Sequence, residues 1–479
     1  MTLDIAWSSA HEIAKAVRSG EYTVAEVAEA TIARIEKYNP GLNAFCVFKP
    51  EEIRERAAEL DRRIAAGEEM GPLVGVPFAI KDMTAIKGER STFGLIAFKD
   101  NLADYDAAIY TRLLEADGLY IGKTTVPEAG YAVYGESHLF GASHNPWAKG
   151  HTAGGSSTGS AIAVAAGLVP IAEGSDGAGS VRAPAGINGI VGLKPSLALI
   201  PCTVLLARHE TWAFHGPLTR SVADNALMLQ VMAGPSEQDP LSLPDDGTDY
   251  VAAIEGDIKG LRVAYSPDLG TGYEVDPEIA EAVRAAAFKL EQLGATVTEV
   301  EVPWENPEHT FWYSIWVPGF SADRDLIDWE EWKDQVDPEL YDLIVEPDTV
   351  PITEYGRANA KRGATWDAFA KFMEDYDVII SPTLTHPAHK HGQFAPDHLL
   401  GKSTREQLLG WLLTYPYNLL TVPAISMPAG HTADGRPIGL QIAGRKLGDA
   451  EVLRVAANFE KVHSPWNDGV RPDLSVFES

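Results

Sequence analysis

The 479-residue sequence predicts an α/β protein, a β-sheet covered by helices on both faces. Three observations carry this expectation. From Val74 onward, short apolar runs alternate with helical segments; residues 261–302 spell a complete βαβ unit; and 45% hydrophobic content is enough to fill a substantial core.

Two helices are expected to open the chain. Ser9 with Glu12 and Thr23 with Glu26 form capping boxes, each followed by apolar residues at helical spacing (Ile13 and Val17; Val27, Ile32 and Ile35). A strand over 74–80 comes next, then a helix near 107–115, a strand at 119–121, a helix after Ser157 and a strand at 168–172. Residues 234–250, rich in Pro, Asp and Ser, read as a long surface loop rather than an interdomain linker, because the alternation resumes beyond them. In the βαβ unit, residues 261–265 form the first strand. Asp276 caps a helix that begins at Pro277, stops at Gly294 and carries the stripe Ile279, Val283, Leu290 and Leu293. Residues 296–302 close the unit through a crossover expected to be right-handed. The chain shows no internal repeat and no low-complexity tract.

The balance of 68 acidic against 39 basic residues gives a formal net charge of −29, which repels phosphate backbones and anionic lipid surfaces. Neither a nucleic-acid nor a membrane partner is expected. The two cysteines, Cys46 and Cys202, have no metal-type or redox-type spacing, which points to a reducing compartment. The start, Met1-Thr2-Leu3-Asp4, lacks the basic and apolar regions of a secretory peptide. The longest apolar stretch, 161–172, is interrupted by Gly167 and Pro170 and falls short of the roughly 20 residues that span a bilayer. These features read as a soluble cytoplasmic protein. A homodimer is compatible with the sequence, which does not fix the oligomeric state.

The residues with chemical potential lie in four segments: Gly75-Val76-Pro77-Phe78-Ala79-Ile80-Lys81-Asp82, Gly154-Gly155-Ser156-Ser157-Thr158-Gly159-Ser160, Asp176-Gly177-Ala178-Gly179-Ser180-Val181-Arg182, and Gly192-Leu193-Lys194-Pro195. A serine hydroxyl is a poor nucleophile at neutral pH and needs a base within reach and donors where an oxyanion forms. Gly177, Ala178 and Gly179 are small enough for backbone N–H groups before Ser180 to turn toward one point, the makings of an oxyanion hole. Of 13 histidines, only His151 stands at the margin of this stretch, and folding can bring another in, so a Ser-His-Asp arrangement stays open.

Each residue also has a plainer reading. A lysine after an apolar strand usually faces solvent, and Ser156 and Ser157 are candidate caps for the next helix. Gly155-Ser156-Ser157-Thr158-Gly159 fits the G-x-S-x-G elbow, which makes Ser157 the nucleophile, but His151-Thr152-Ala153 is no obvious preceding strand. The glycine run lacks the order of a phosphate-binding loop.

Taken together and in this order, the segments resemble the amidase signature family. Pro423-Ala424-Ile425-Ser426-Met427-Pro428-Ala429-Gly430 and Pro437-Ile438-Gly439-Leu440-Gln441 are similar to the family's C-terminal segments, and the resemblance fades over residues 235–410. It implies an amidase signature fold with a large mixed central β-sheet flanked on both faces by helices. It also implies a single domain over 1–479, with a signature core at 70–200 and a variable substrate-pocket region at 235–410. Carried over residue by residue, it makes Lys81 the base, Ser156 a relay held by a cis Gly155–Ser156 peptide bond, and Ser180 the nucleophile. Gly177, Ala178, Gly179 and Ser175 then belong to the oxyanion and substrate-binding loop. Asp176 and Arg182 become a buried structural pair, and no cofactor or metal is implied. To act as base, Lys81 must be neutral, its pKa brought from about 10.4 toward neutrality, which predicts burial among apolar neighbours.

Two departures stand out. Gly177-Ala178-Gly179-Ser180 replaces the family's Thr-Gly-Gly-Ser, and Thr158 stands where a glycine is usual. A Cβ at position 178 conflicts with the oxyanion geometry if the backbone there needs positive φ; otherwise it narrows the pocket floor.

The expected function is hydrolysis of the carbon–nitrogen bond of a small linear amide, apolar or aromatic, through an acyl-enzyme on Ser180. The alternatives are the glutaminase (A) component of a glutamine-dependent tRNA amidotransferase, an esterase or carbamate hydrolase on the same scaffold, and a catalytically dead binding scaffold. Against the amidotransferase component, residues 196–210 do not look like its glycine-rich segment. The aromatic cluster Phe311, Trp312, Tyr313, Trp316, Phe320, Trp329 and Trp332 reads equally as core packing and as a pocket wall. His386, His389, His391 and His398 lack supporting carboxylates or cysteines for a metal site and read as an exposed loop near the active-site mouth.

Overall fold

The computed structural model describes residues 4–478; Met1, Thr2 and Leu3, on which the reading of the N-terminus rests, lie outside the described residues. Both opening helices, Ala10–Arg18 and Val24–Leu42, carry the expected capping boxes, each with the serine or threonine hydroxyl and the glutamate satisfying each other's backbone N–H. Their apolar faces pack into the large core beside the sheet.

The strands are β1 (Phe45–Phe48), β2 (Pro77–Lys81), β3 (Leu119–Thr124), β4 (His144–Asn145), β5 (Ala148–Thr152), β6 (Ile171–Asp176), β7 (Val191–Lys194), β8 (Phe214–Thr219), β9 (Arg262–Tyr265), β10 (Thr296–Glu299), β11 (Val378–Pro382), β12 (Ala424–His431) and β13 (Pro437–Ala443). Eleven of them form one mixed sheet in the order β1-β3-β2-β6-β8-β7-β12-β13-β11-β9-β10, while β4 and β5 make a separate hairpin. Strands β3, β2 and β6 run parallel to one another, as do β11, β9 and β10. Every residue of β2, β6, β8 and β13 is buried, the signature of strands covered on both faces.

The βαβ unit forms as expected, with Asp276 capping the helix Pro277–Phe288, which tightens into a 3₁₀ turn ending at a left-handed Gly294. Two strand boundaries differ from expectation. The strand expected at 168–172 is β6, which begins at Ile171: Gly167 adopts a positive φ and Leu168 and Pro170 complete a turn, so their apolar character serves the core without joining the sheet. The strand expected to run to Val302 ends at Glu299. Residues 234–249 form the expected long loop. Among the described residues, no helix is long and apolar enough to cross a membrane.

Candidate active site

Parallel pairing of β2 with β6, which sets Phe78 opposite Ile171 and Ala79 opposite Ala172, brings the ends of both strands side by side. Lys81, the last residue of β2, is fully buried. Its Nζ hydrogen-bonds Ser156 Oγ at 2.7 Å and Ser175 Oγ at 2.9 Å, and it donates to the Ser175 carbonyl at 3.3 Å. Burial lowers the Lys81 pKa to about 7, against the opposing pull of Glu173, Asp176 and Asp82. The expected depression is therefore present, but the expectation of apolar neighbours is corrected: carboxylates and hydroxyls surround the amine, and exclusion of water does the shifting.

Ser156 sits on the loop between β5 and the buried helix Thr158–Ala165, and the Gly155–Ser156 peptide bond is cis. Ser175 touches the lysine rather than the glycine loop, a correction to its assignment as a partner of that loop. Ser180 follows β6 by four residues and lines the same cavity as Ser156, Ser175 and Gly177. The hydrogen bonds of this group join Lys81 to Ser156 and Ser175; among the described residues, none closes the step from Ser156 Oγ to Ser180 Oγ.

The loop after β6 holds the donors expected there. Among the described residues, none accepts from the N–H groups of Gly177, Ala178, Gly179 or Ser180, whereas the next two N–H groups, of Val181 and Arg182, donate to Asp176 Oδ2 at 3.2 and 3.4 Å. The positive φ falls at Gly179 (+133°), leaving Ala178 in ordinary backbone, so its Cβ is no obstacle. Ala178 does not line the cavity; its carbonyl accepts from Thr414 Oγ1 at 2.6 Å. A Cβ at residue 179 would lie 2.0 Å from Thr414 Oγ1. Gly179→Ala is accordingly expected to cost about 1 to 3 kcal/mol of stability, read by urea denaturation, and to lower turnover by displacing the adjacent N–H groups.

Asp176 and Arg182 form the expected buried pair, at 3.1 Å with both side chains fully buried. Burial opposes ionisation of Asp176, but Arg182 and the Asn418 amide hold its carboxyl below the usual range. Arg182 is further satisfied by the Thr414 carbonyl at 2.8 Å, Asn418 Oδ1 at 2.6 Å and Gln441 Oε1 at 3.1 Å.

The competing readings of the serines fare differently. A short strand, β5, does precede the G-x-S-x-G pattern, contrary to expectation, yet Ser157 is fully buried and its Oγ is spent on the backbone N–H and C=O of Ser175. Neither serine caps the following helix through its side chain. Among the described residues, no histidine lines the cavity. His215 lies beneath it, fully buried, with Nδ1 2.7 Å from Glu173 Oε1, and Glu173 in turn accepts from the Lys81 backbone N–H at 3.0 Å. Sequence reasoning misses this Glu173–His215 pair, because 42 residues separate its members and only the β6–β8 pairing joins them.

The cavity has a volume of about 250 Å³ and mostly apolar walls. The aromatic cluster divides: Trp316, Phe320 and Trp329 line the cavity with Trp212, whereas Phe311 and Trp312 are packed in the core behind them. Val204, Leu205 and Leu206 complete the opposite wall. The histidine-rich segment does not reach the cavity. His386 stacks on His398, His389 is buried against Trp411, and His391 pairs with Glu136, so the expectation of an exposed loop at the mouth is corrected. The loop is held in by these ring contacts, and its imidazoles point to different partners.

The family model described as Amidase matches residues 26–453. An acylamidase from Rhodococcus erythropolis is 52% identical over 470 residues, covering 98% of each chain. The glutaminase (A) component of the glutamyl-tRNA(Gln) amidotransferase from Geobacillus thermodenitrificans is 35% identical, covering 94% of this chain and 96% of its own. Among solved structures, a bacterial aryl acylamidase of the amidase signature family superposes with a TM-score of 0.90 at 31% identity, over 96% of this chain and 97% of its own. A 6-aminohexanoate cyclic dimer hydrolase superposes with a TM-score of 0.86 at 31% identity, over 98% of this chain and 100% of its own.

Proposed function

The chain belongs to the amidase signature family and is an amide-hydrolysing enzyme; from that premise we propose that it cleaves small aryl or otherwise apolar acylamides through an acyl-enzyme on Ser180. The carrying observation is a fully buried amine, Lys81, hydrogen-bonded to Ser156 on an aromatic-walled cavity shared with Ser180. In this reading neutral Lys81 takes the Ser156 proton while Ser156 takes that of Ser180, whose Oγ attacks the amide carbonyl. The N–H groups of residues 177–180 receive the developing oxyanion. On collapse Ser156 protonates the leaving nitrogen and recovers a proton from Lys81. Water then repeats the sequence and releases the acid. A small rotation of Ser180 to reach Ser156 is all the relay requires, since such hydrogen bonds often tighten only when substrate is bound.

We read residues 1–479 as one amidase domain, supported by a sheet that interleaves early and late strands. A cytoplasmic setting is supported by the free thiols of Cys46 and Cys202. The amidotransferase reading is disfavoured because, among the described residues, no arginine or lysine lines the cavity to hold the α-carboxylate of glutamine. The deciding experiment assays the isolated chain on acetanilides, carbamates, esters and glutamine. Robust anilide hydrolysis without a partner is expected; glutaminase activity that appears only with a partner protein overturns the reading.

Glu173 offers a finer check on Lys81. Its carboxylate favours the charged amine, so Glu173→Gln is expected to move the acid limb of kcat/KM to lower pH, by about half a unit to one unit. An unmoved limb would mean that Lys81 does not set it.

A further inference from the structure

Two carboxylates line the cavity, and they differ in one respect. Asp176 is saturated by Arg182 and Asn418. Asp323 has a fixed backbone: its N–H donates to the Phe320 carbonyl at 3.1 Å and its own carbonyl accepts from Trp329 Nε1 at 3.1 Å. Its carboxylate oxygens, however, accept no hydrogen bond and meet no cation among the described residues. The adjacent Arg324 is committed elsewhere, to Asp348 at 2.6 Å and the Ile344 carbonyl at 3.2 Å. Burial alone lifts the Asp323 carboxyl to about 6, with no neighbouring charge contributing. An ionised carboxylate in an apolar wall is costly unless something pairs with it.

Its position is also informative. Phe320, one turn earlier, is 4% exposed and forms the deep wall, whereas Leu326, one turn later, is 40% exposed at the mouth. Asp323 therefore stands between the floor that holds the serines and the opening. The π faces of Trp316, Phe320 and Trp329 on the same wall suit a cation approaching a carboxylate.

We propose that Asp323 is a specificity-determining residue that pairs with an ammonium group on the substrate, so that the preferred amides carry a basic amine distal to the scissile bond. This rests on the amidase reading of the cavity and narrows its substrate class from apolar acylamides to those with one cationic end.

The test uses two isosteric pairs, because the amine can lie on either side of the amide: para-(aminomethyl)acetanilide against para-ethylacetanilide, and the anilide of 5-aminopentanoic acid against that of hexanoic acid. Binding to the full-length Ser180→Ala variant is measured by calorimetry at about pH 8, where the amines are charged. In at least one pair the aminated member is expected to bind about tenfold tighter, and adding Asp323→Asn, which keeps the side chain's size, abolishes the preference. Asp323→Leu, with thermal melting as a folding control, gives the same loss. Equal binding within both pairs, or a preference that survives the asparagine variant, overturns the proposal. Wild-type protein that hydrolyses no amide overturns the reading of function instead, while the binding comparison still decides the role of Asp323.

Discussion

Ser180→Ala is expected to lower amide turnover by at least about 10³-fold, equivalent to about 4 kcal/mol of transition-state stabilisation. Alanine removes the hydroxyl while leaving the backbone donors of residues 177–180, the Asp176–Arg182 pair and the cavity walls in place. The loss should therefore fall on kcat and leave KM nearly unchanged. A fluorophosphonate probe should label Ser180 in the wild type and nothing in the variant. Labelling at Ser157 would require a fully buried side chain, already hydrogen-bonded to the backbone of Ser175, to turn out into the cavity. That outcome, or full activity of the alanine variant, would falsify the assignment.

Lys81→Met is expected to cost a comparable factor, about 10³ or more, because the serines then have no acceptor for a proton. The pH dependence separates this from a packing defect. With the Lys81 pKa lowered to about 7, the amine gains a proton as pH falls through 7 and can no longer act as base. Wild-type kcat/KM should fall tenfold per unit below that point, and the residual activity of the methionine variant should lack this limb. Stability follows the same group. Unfolding restores the ordinary value of 10.5, so between pH 10.5 and 7 the unfolded chain binds a proton that the folded chain refuses. The contribution of Lys81 to stability thus declines as pH falls across that window, and Lys81→Met should flatten the decline in urea melts taken from pH 10.5 to 7. A variant with an unchanged slope would argue against a depressed amine.

How much of this is legible in the sequence depends on how far apart the partners lie. Lys81, Ser156 and Ser180 are readable because each sits in a contiguous run of small residues whose wording is itself constrained. The opening helices are readable because capping boxes are local. The partners of Arg182 are not: Thr414, Asn418 and Gln441 lie more than 230 residues away, in ordinary-looking segments. His215 is hidden for the same reason, since only its antiparallel register opposite Ser175 brings it below Lys81. For Ala178, the sequence indicates that the loop needs a residue of positive φ without indicating which one; the close approach of Thr414 settles that on Gly179. The aromatic cluster resists reading because spacing does not tell which ring faces a void. A π-helical turn at Trp312–Trp316 changes the helical register between the core-facing Phe311 and Trp312 and the cavity-facing Trp316 and Phe320.

The order of strands has a consequence for how the protein is made. Strands β12 and β13 are among the last to leave the ribosome, yet they occupy the middle of the sheet, between β7 and β11. Arg182 cannot complete its contacts until residues 414–441 have been synthesised. A nascent chain halted before that point carries every serine and lysine of the proposed relay and still has no assembled centre. Folding is thereby tied to near-complete translation, and truncated products should emerge inert.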